Sequence, residues 1–154
     1  MQVLWLTHAQ VQAIGDHARA AAPDEACGLI AGRGSRAVRV LPLDNIAQNR
    51  QQTYLIDAAQ LAASIHQFER EGLSLIGIYH SHPAGDPIPS PADMCELHYP
   101  HTAYLIVGLR HNHANFAAWL LHNQRQSGLI CTSGTSHHRP LIRSCHHHSK
   151  SLLS

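Results

Sequence analysis

Apolar residues recur along the chain with two different periods, and the switches between them outline the elements. "VLWLT" near the N-terminus reads as a short strand, with Thr7 placed to cap the next element. Val11, Ile14 and Ala18 then recur at helical spacing, which predicts an amphipathic helix over about residues 8–21, closed by Pro23. "EACGLIAG" reads as a buried strand ending in a turn at Gly32 to Gly34, and the alternation in "RAVRVLPLDN" makes the second arm of a hairpin. "TYLI" is a further short strand. Asp57 caps a second helix whose Leu61, Ile65 and Phe68 lie along one face and which stops at Gly72. The continuous apolar run "LSLIGIYH" is what a strand covered on both faces requires. Ser90-Pro91 starts a third helix, with the hydroxyl at the N-cap and proline in the first helical position. "TAYLIVGLR" and "NFAAWLLH" are two last strands joined by the polar turn "HNHA".

The order is therefore β-α-β-β-β-α-β-α-β-β. Strands outnumber helices and several pair as hairpins, so the expected class is α/β with a mixed β-sheet sandwiched by helices, not a doubly wound sheet. Beyond His122 the periodicity fails. Residues 1–122 are the expected domain and 123–154 a mobile, His-rich C-terminal tail.

Composition narrows the class without naming a chemistry. At 154 residues the chain suits one domain with a proper core, and 44% hydrophobic against 14% charged residues excludes a disordered chain. A formal net charge of +1 gives no sign of a nucleic-acid or membrane partner. No apolar run is long enough to span a bilayer, and "MQVLWLTHAQ" lacks the basic start and cleavage site of a signal peptide. Cys27, Cys95, Cys131 and Cys145 are scattered with no CxxC pair, which favours reduced thiols and a cytoplasmic location. Oligomeric state is not legible. Histidine stands out at 15 residues, but His137, His138, His146, His147 and His148 belong to the tail and say nothing of a site.

The chemistry concentrates in "YHSHPAGDPIPSPADM". Side chains alternate along a strand, so His80 and His82 point the same way from its tip. Positions three apart share a helix face, so Ser90 and Asp93 also look in one direction, and the short proline loop keeps the two pairs close. Two imidazoles and a carboxylate suit catalytic zinc with the fourth position left for water, whose pKa then falls towards about 7. Iron, cobalt or manganese would also accept the set. Taken singly, Ser90 is a helix N-cap, Asp93 a favourable first-turn acid and Asp86 a turn residue. A hydrolase of this kind also needs an acidic base near the metal. Glu25 is the best candidate, because it opens the apolar strand "EACGLIAG" where carboxylates are rare without a partner or a task; Asp24 is the nearest rival.

"DEACGLIAG" followed by "HSHPAGDPIPSPAD" resembles the JAMM, or MPN-plus, metalloprotease family, whose signature is a glutamate, then His-Ser/Thr-His-Pro, then Ser and Asp at fixed offsets. The similarity extends over about residues 1–121 and looks like the compact prokaryotic branch, without the insertions of eukaryotic deubiquitinating relatives. It implies the MPN/JAMM-like, cytidine-deaminase-like fold. It implies His80, His82 and Asp93 as zinc ligands, Glu25 as general acid/base, Ser90 as a hydrogen-bond donor to the oxyanion, and Pro83 as a turn former without chemistry. It also implies hydrolysis of a peptide or isopeptide bond after the C-terminal tail of a ubiquitin-like sulfur-carrier protein. The segment after Trp119 departs from the family's usual closing strand, which leaves the C-terminal edge of the sheet open. Two other classes stand beside this reading: a non-catalytic interaction module on the same fold, and a cysteine peptidase using Cys27.

Overall fold

The computed structural model describes residues 3–95, 99, 101–111, 113–122 and 125–133. The chain runs β1 (Val3–Leu6), α1 (His8–Ala21), β2 (Cys27–Arg33), β3 (Arg36–Leu43), α2 (Ala58–Arg70), β4 (Ser74–His82), α3 (Pro91–Cys95), β5 (Ala103–Gly108), β6 (Asn115–His122) and β7 (Arg125–Ser133). The helices begin where their caps dictate. Thr7 Oγ1 accepts the Gln10 N–H while Gln10 Oε1 accepts the Thr7 N–H, a reciprocal pair at the start of α1. Asp57 Oδ2 accepts the Gln60 N–H at 2.9 Å at the start of α2, a contact worth about 1 kcal/mol.

The strands form one mixed sheet in the order β1-β3-β2-β4-β5-β6-β7, and β1 also pairs with β7, so the sheet curls into a closed barrel. β4 pairs antiparallel with β2 and parallel with β5, and everything from Ile76 to Ser81 is buried. That position explains its unbroken apolar run. On one face α1 sends Ile14 and Ala18 against Leu4, Leu6, Ile30 and Leu105. On the other, Phe68 of α2 packs with Leu29, Ile78 and Tyr104. Each such fully buried side chain contributes on the order of 1.5–3 kcal/mol. The predicted class, a mixed sheet flanked by helices, is the observed one.

A close approach between β2 and β4 fixes one residue type. A Cβ on Gly28 would lie 2.3 Å from the Tyr79 ring, so only glycine lets that ring cross β2 towards α1. There the Tyr79 hydroxyl meets His17 Nδ1 at 2.8 Å.

Two segments differ from the sequence-based expectation. "TYLI" is not a strand: residues 53–56 are irregular. The backbone N–H of Leu55 and carbonyl of Thr53 bond to the Asn45 side chain, and the Leu55 carbonyl accepts the Ile46 N–H, so the segment folds back on its own loop. In the other direction, β7 lies within the stretch expected to be tail, pairing antiparallel with β6 and parallel with β1. Its state depends on pairing with the adjacent β6 and with β1 at the other end of the chain, which hydrophobic periodicity does not carry. The rest of that stretch, 134–154 with the tail histidines, lies outside the described residues.

Candidate metal centre

The tip of β4 does what strand alternation predicts. His80 and His82 project from the same side, with ring centroids 4.9 Å apart. His80 is wholly buried, and Tyr54 stacks on its ring at 4.5 Å with the planes 21° apart. After His82 the proline loop carries the chain to Ser90, where α3 begins. Ser90 and Asp93 cap each other: the Asp93 N–H donates to Ser90 Oγ at 3.1 Å, and the Ser90 N–H donates to Asp93 Oδ2 at 2.7 Å. This exchange turns the Asp93 carboxylate back towards the histidines.

The three side chains meet at one point. His80 Nε2 and His82 Nε2 are 3.1 Å apart, His80 Nε2 lies 3.2 Å from Asp93 Oδ1, and His82 Nε2 lies 3.3 Å from Asp93 Oδ2. His82 Nδ1 faces the Asp86 carbonyl at 2.9 Å, a group that can only accept. Nδ1 is therefore the donor, and in the neutral ring Nε2 keeps a lone pair directed at the cluster. His80 Nδ1 is buried without a hydrogen-bond partner, so His80 too reaches the cluster through Nε2. A His82 lone pair and the Asp93 carboxylate directed at the same point suit a cation between them. Donor atoms arranged tetrahedrally at zinc bond lengths of about 2.0–2.1 Å stand roughly 3.3 Å apart, close to the separations observed. The donor set fits a metal ion.

Electrostatics agree with the geometry. Burial alone would raise the pKa of Asp93, but the imidazoles of His80 and His82 beside it outweigh burial and hold the carboxyl well below its usual range. Burial lowers the pKa of His80 despite the carboxylate beside it. Burial also acts on His82, but there the bonds to Asp93 and to the Asp86 carbonyl prevail and the net shift is upward. The Glu25 charge adds to that upward shift.

Glu25 reaches the same place from β2. Cys27 lies opposite His80 in the antiparallel register, and the Ser81 N–H bonds the Ala26 carbonyl, so continuing the pairing sets Glu25 beside His82. Its side chain is buried at 5% exposure. Asp24, the rival base, is half-buried in the turn after α1, where its N–H bonds the Ala21 carbonyl.

Several residues that hold the centre were not read from the sequence. Ser81, between the two histidines, faces away from them and accepts the Ala26 N–H on its Oγ at 2.8 Å, tying the tip of β4 to the residue after Glu25. Alternation in His80-Ser81-His82 was the available signal. Asp86 matters through its carbonyl, which sets the His82 tautomer. Its loop is gripped by the Trp119 indole N–H, which donates to the Pro87 carbonyl at 3.0 Å. A Cβ on Gly108 would come within 2.8 Å of the Gly85 carbonyl and Pro87, so this loop also depends on a bare backbone in β5. Cys27, by contrast, is buried with its thiol pushed up to about 12 by burial first and then by the charges of Asp44 and Glu25. Such a thiol is not a nucleophile at neutral pH.

Residues 7–122 match the family described as prokaryotic homologs of the JAB domain. The chain belongs to that family. Among relatives, it is 40% identical over 106 residues to the probable TtuB-protein conjugate cleaving protease of Thermus thermophilus, covering 69% of this chain and 70% of that one. It is 35% identical over 103 residues to the desampylase of Haloferax volcanii, covering 66% and 70%. The solution structure of a protein from Desulfitobacterium hafniense superposes with a TM-score of 0.74 at 29% identity, covering 88% of this chain and 99% of that one. Within the JAB family frame the His80, His82 and Asp93 cluster is a site able to hold a metal ion. Among the described residues no helix is long and apolar enough to cross a membrane.

Proposed function

We propose that this JAB-family chain is a zinc-dependent peptidase or isopeptidase, cytoplasmic, that hydrolyses the bond following the C-terminal tail of a ubiquitin-like sulfur-carrier protein. The observation that carries the reading is the meeting of three metal-ligating side chains, with one ligand atom of each within 4.8 Å of the others and a buried glutamate set beside one of them by strand register. The relatives, named for cleaving protein conjugates and for desampylation, support the substrate class.

His80, His82 and Asp93 would hold the zinc. When bound, it supplies Lewis acidity, polarising a carbonyl and bringing the pKa of water towards about 7. Glu25 accepts the proton of the attacking water as the water oxygen bonds to the carbonyl carbon. As the C–N bond breaks, Glu25 returns that proton to the departing nitrogen, leaving a tail that ends in carboxylate and a free amine. Ser90 serves twice. Its oxygen lone pair accepts the Asp93 N–H in the cap, and its own O–H proton stays available to donate to the carbonyl oxygen as that oxygen takes on charge. The Asp86 carbonyl keeps the His82 Nε2 lone pair on the site, and Tyr54 covers His80 from the far side.

The test is hydrolysis of a ubiquitin-like carrier protein extended beyond its C-terminal glycine, read by mass spectrometry. The zinc-loaded chain is expected to release the extension at the glycine. Cleavage that persists in Glu25→Gln or after chelation would contradict the mechanism. A chain that purifies without stoichiometric zinc and cleaves nothing would instead support a non-catalytic module.

A further inference from the structure

Outside the metal centre, the Asn45 side chain is bonded through both its nitrogen and its oxygen. Its amide nitrogen donates to the Glu25 carbonyl at 3.0 Å and the Thr53 carbonyl at 3.0 Å, with the Arg50 carbonyl further off at 3.5 Å. Its oxygen accepts the Ala47 N–H at 3.0 Å and the Leu55 N–H at 3.1 Å. An amide has two donor hydrogens and two acceptor lone pairs, and here all four are engaged with backbone. The pattern also fixes which atom is nitrogen, because the flipped amide would set donors against donors and acceptors against acceptors.

The partners are not a random set. Glu25 is the residue assigned to proton transfer, and its N–H donates to the Arg50 carbonyl at 2.7 Å, so the 45–55 loop holds both the peptide before Glu25 and the peptide after it. Thr53 and Leu55 flank Tyr54, the ring stacked on His80. His80 and His82 are set by β4, and Asp93 by the cap of α3. We infer that Asn45 is a positioning residue for Glu25, fixing the carboxylate against the metal centre through a loop that contributes no ligand. This rests on the reading of Glu25 as the proton-transfer group.

Two variants separate the contributions. Asn45→Ala removes every bond. Asn45→Asp keeps the acceptors for Ala47 and Leu55, and so the folded loop, but turns a carboxylate oxygen towards the carbonyls of Glu25 and Thr53. Both are made in the full chain, loaded with zinc, and assayed on a ubiquitin-like carrier protein extended beyond its C-terminal glycine. In both, kcat is expected to fall about 10²-fold, the size of effect a displacement of roughly 1 Å produces, while KM and zinc affinity stay within about threefold. Hydrogen exchange at the Glu25 amide is expected to accelerate, with exchange at Leu105 in β5 unchanged. Wild-type kcat in both variants, or zinc affinity falling in step with kcat, overturns the inference. If Glu25→Gln itself retains full turnover, the functional reading has failed instead; exchange at Glu25 then still decides whether Asn45 holds that residue.

Discussion

His80, His82 and Asp93 come from one short stretch, in which a strand tip, a proline loop and a helix cap each arise from local sequence. Glu25 arrives at the same point from another strand, held by β2–β4 pairing, by Ser81 and by the side chain of Asn45. The first region is assembled by bonds between near neighbours in the chain, the second by contacts between residues far apart. Under the proposed function the centre is thus two constructions that can fail separately: one would decide whether metal is held, the other whether held metal is used.

Breaking the first construction should have the largest effect. His82→Ala removes the ligand whose lone pair the Asp86 carbonyl directs, and zinc binding and turnover are both expected to vanish, as checked by metal analysis and the cleavage assay. Ser90→Ala acts on both functions of that hydroxyl. Turnover should drop about 10²-fold through loss of the oxyanion donor. The fold should lose about 1 kcal/mol through loss of the cap, measured by chemical denaturation. Trp119→Phe keeps an aromatic ring against the core and removes only the indole N–H that bonds the loop behind His82. Losing one hydrogen bond of about 1 kcal/mol should weaken zinc binding roughly fivefold in a competition titration, with kcat of the loaded protein little changed.

The smallest effect lies away from the centre. Burial lowers the pKa of His17 below its usual value, with Asp44 opposing, so the folded chain favours the neutral ring. The unfolded chain binds the proton first as pH falls, so this contribution to stability is present above about 6.5 and is lost progressively below it. Thermal melting across that range should show a shallower acid decline in His17→Asn than in the wild type. Identical slopes would mean that the His17–Tyr79 contact does not titrate with the fold.

Legibility in the sequence divides along the same line. Elements with their own periodicity or cap, from α1 through β4 to the start of α3, were legible because neighbouring residues determine them. So was the clustering of His80, His82 and Asp93, since His-x-His on a strand and Ser-x-x-Asp at a helix start are local patterns. "TYLI" has the composition of a strand, but Asn45 captures the backbone groups of Thr53 and Leu55, and no local pattern reveals that. β7 is a strand because β6 and β1 flank it. Nor could Asn45 and Trp119 be singled out, since an amide and an indole declare their partners only once the chain has folded. The Glu25 assignment drew on an unusual carboxylate in an apolar run, but its place beside His82 needed the register.

Under the proposed function Glu25 works on a metal it does not hold. Zinc affinity and turnover of Glu25→Gln, measured on the same preparation, test it most directly. Affinity within about threefold of wild type with turnover reduced at least about 10³-fold is the expected result. Turnover near wild type, or loss of zinc in proportion to loss of activity, would contradict it.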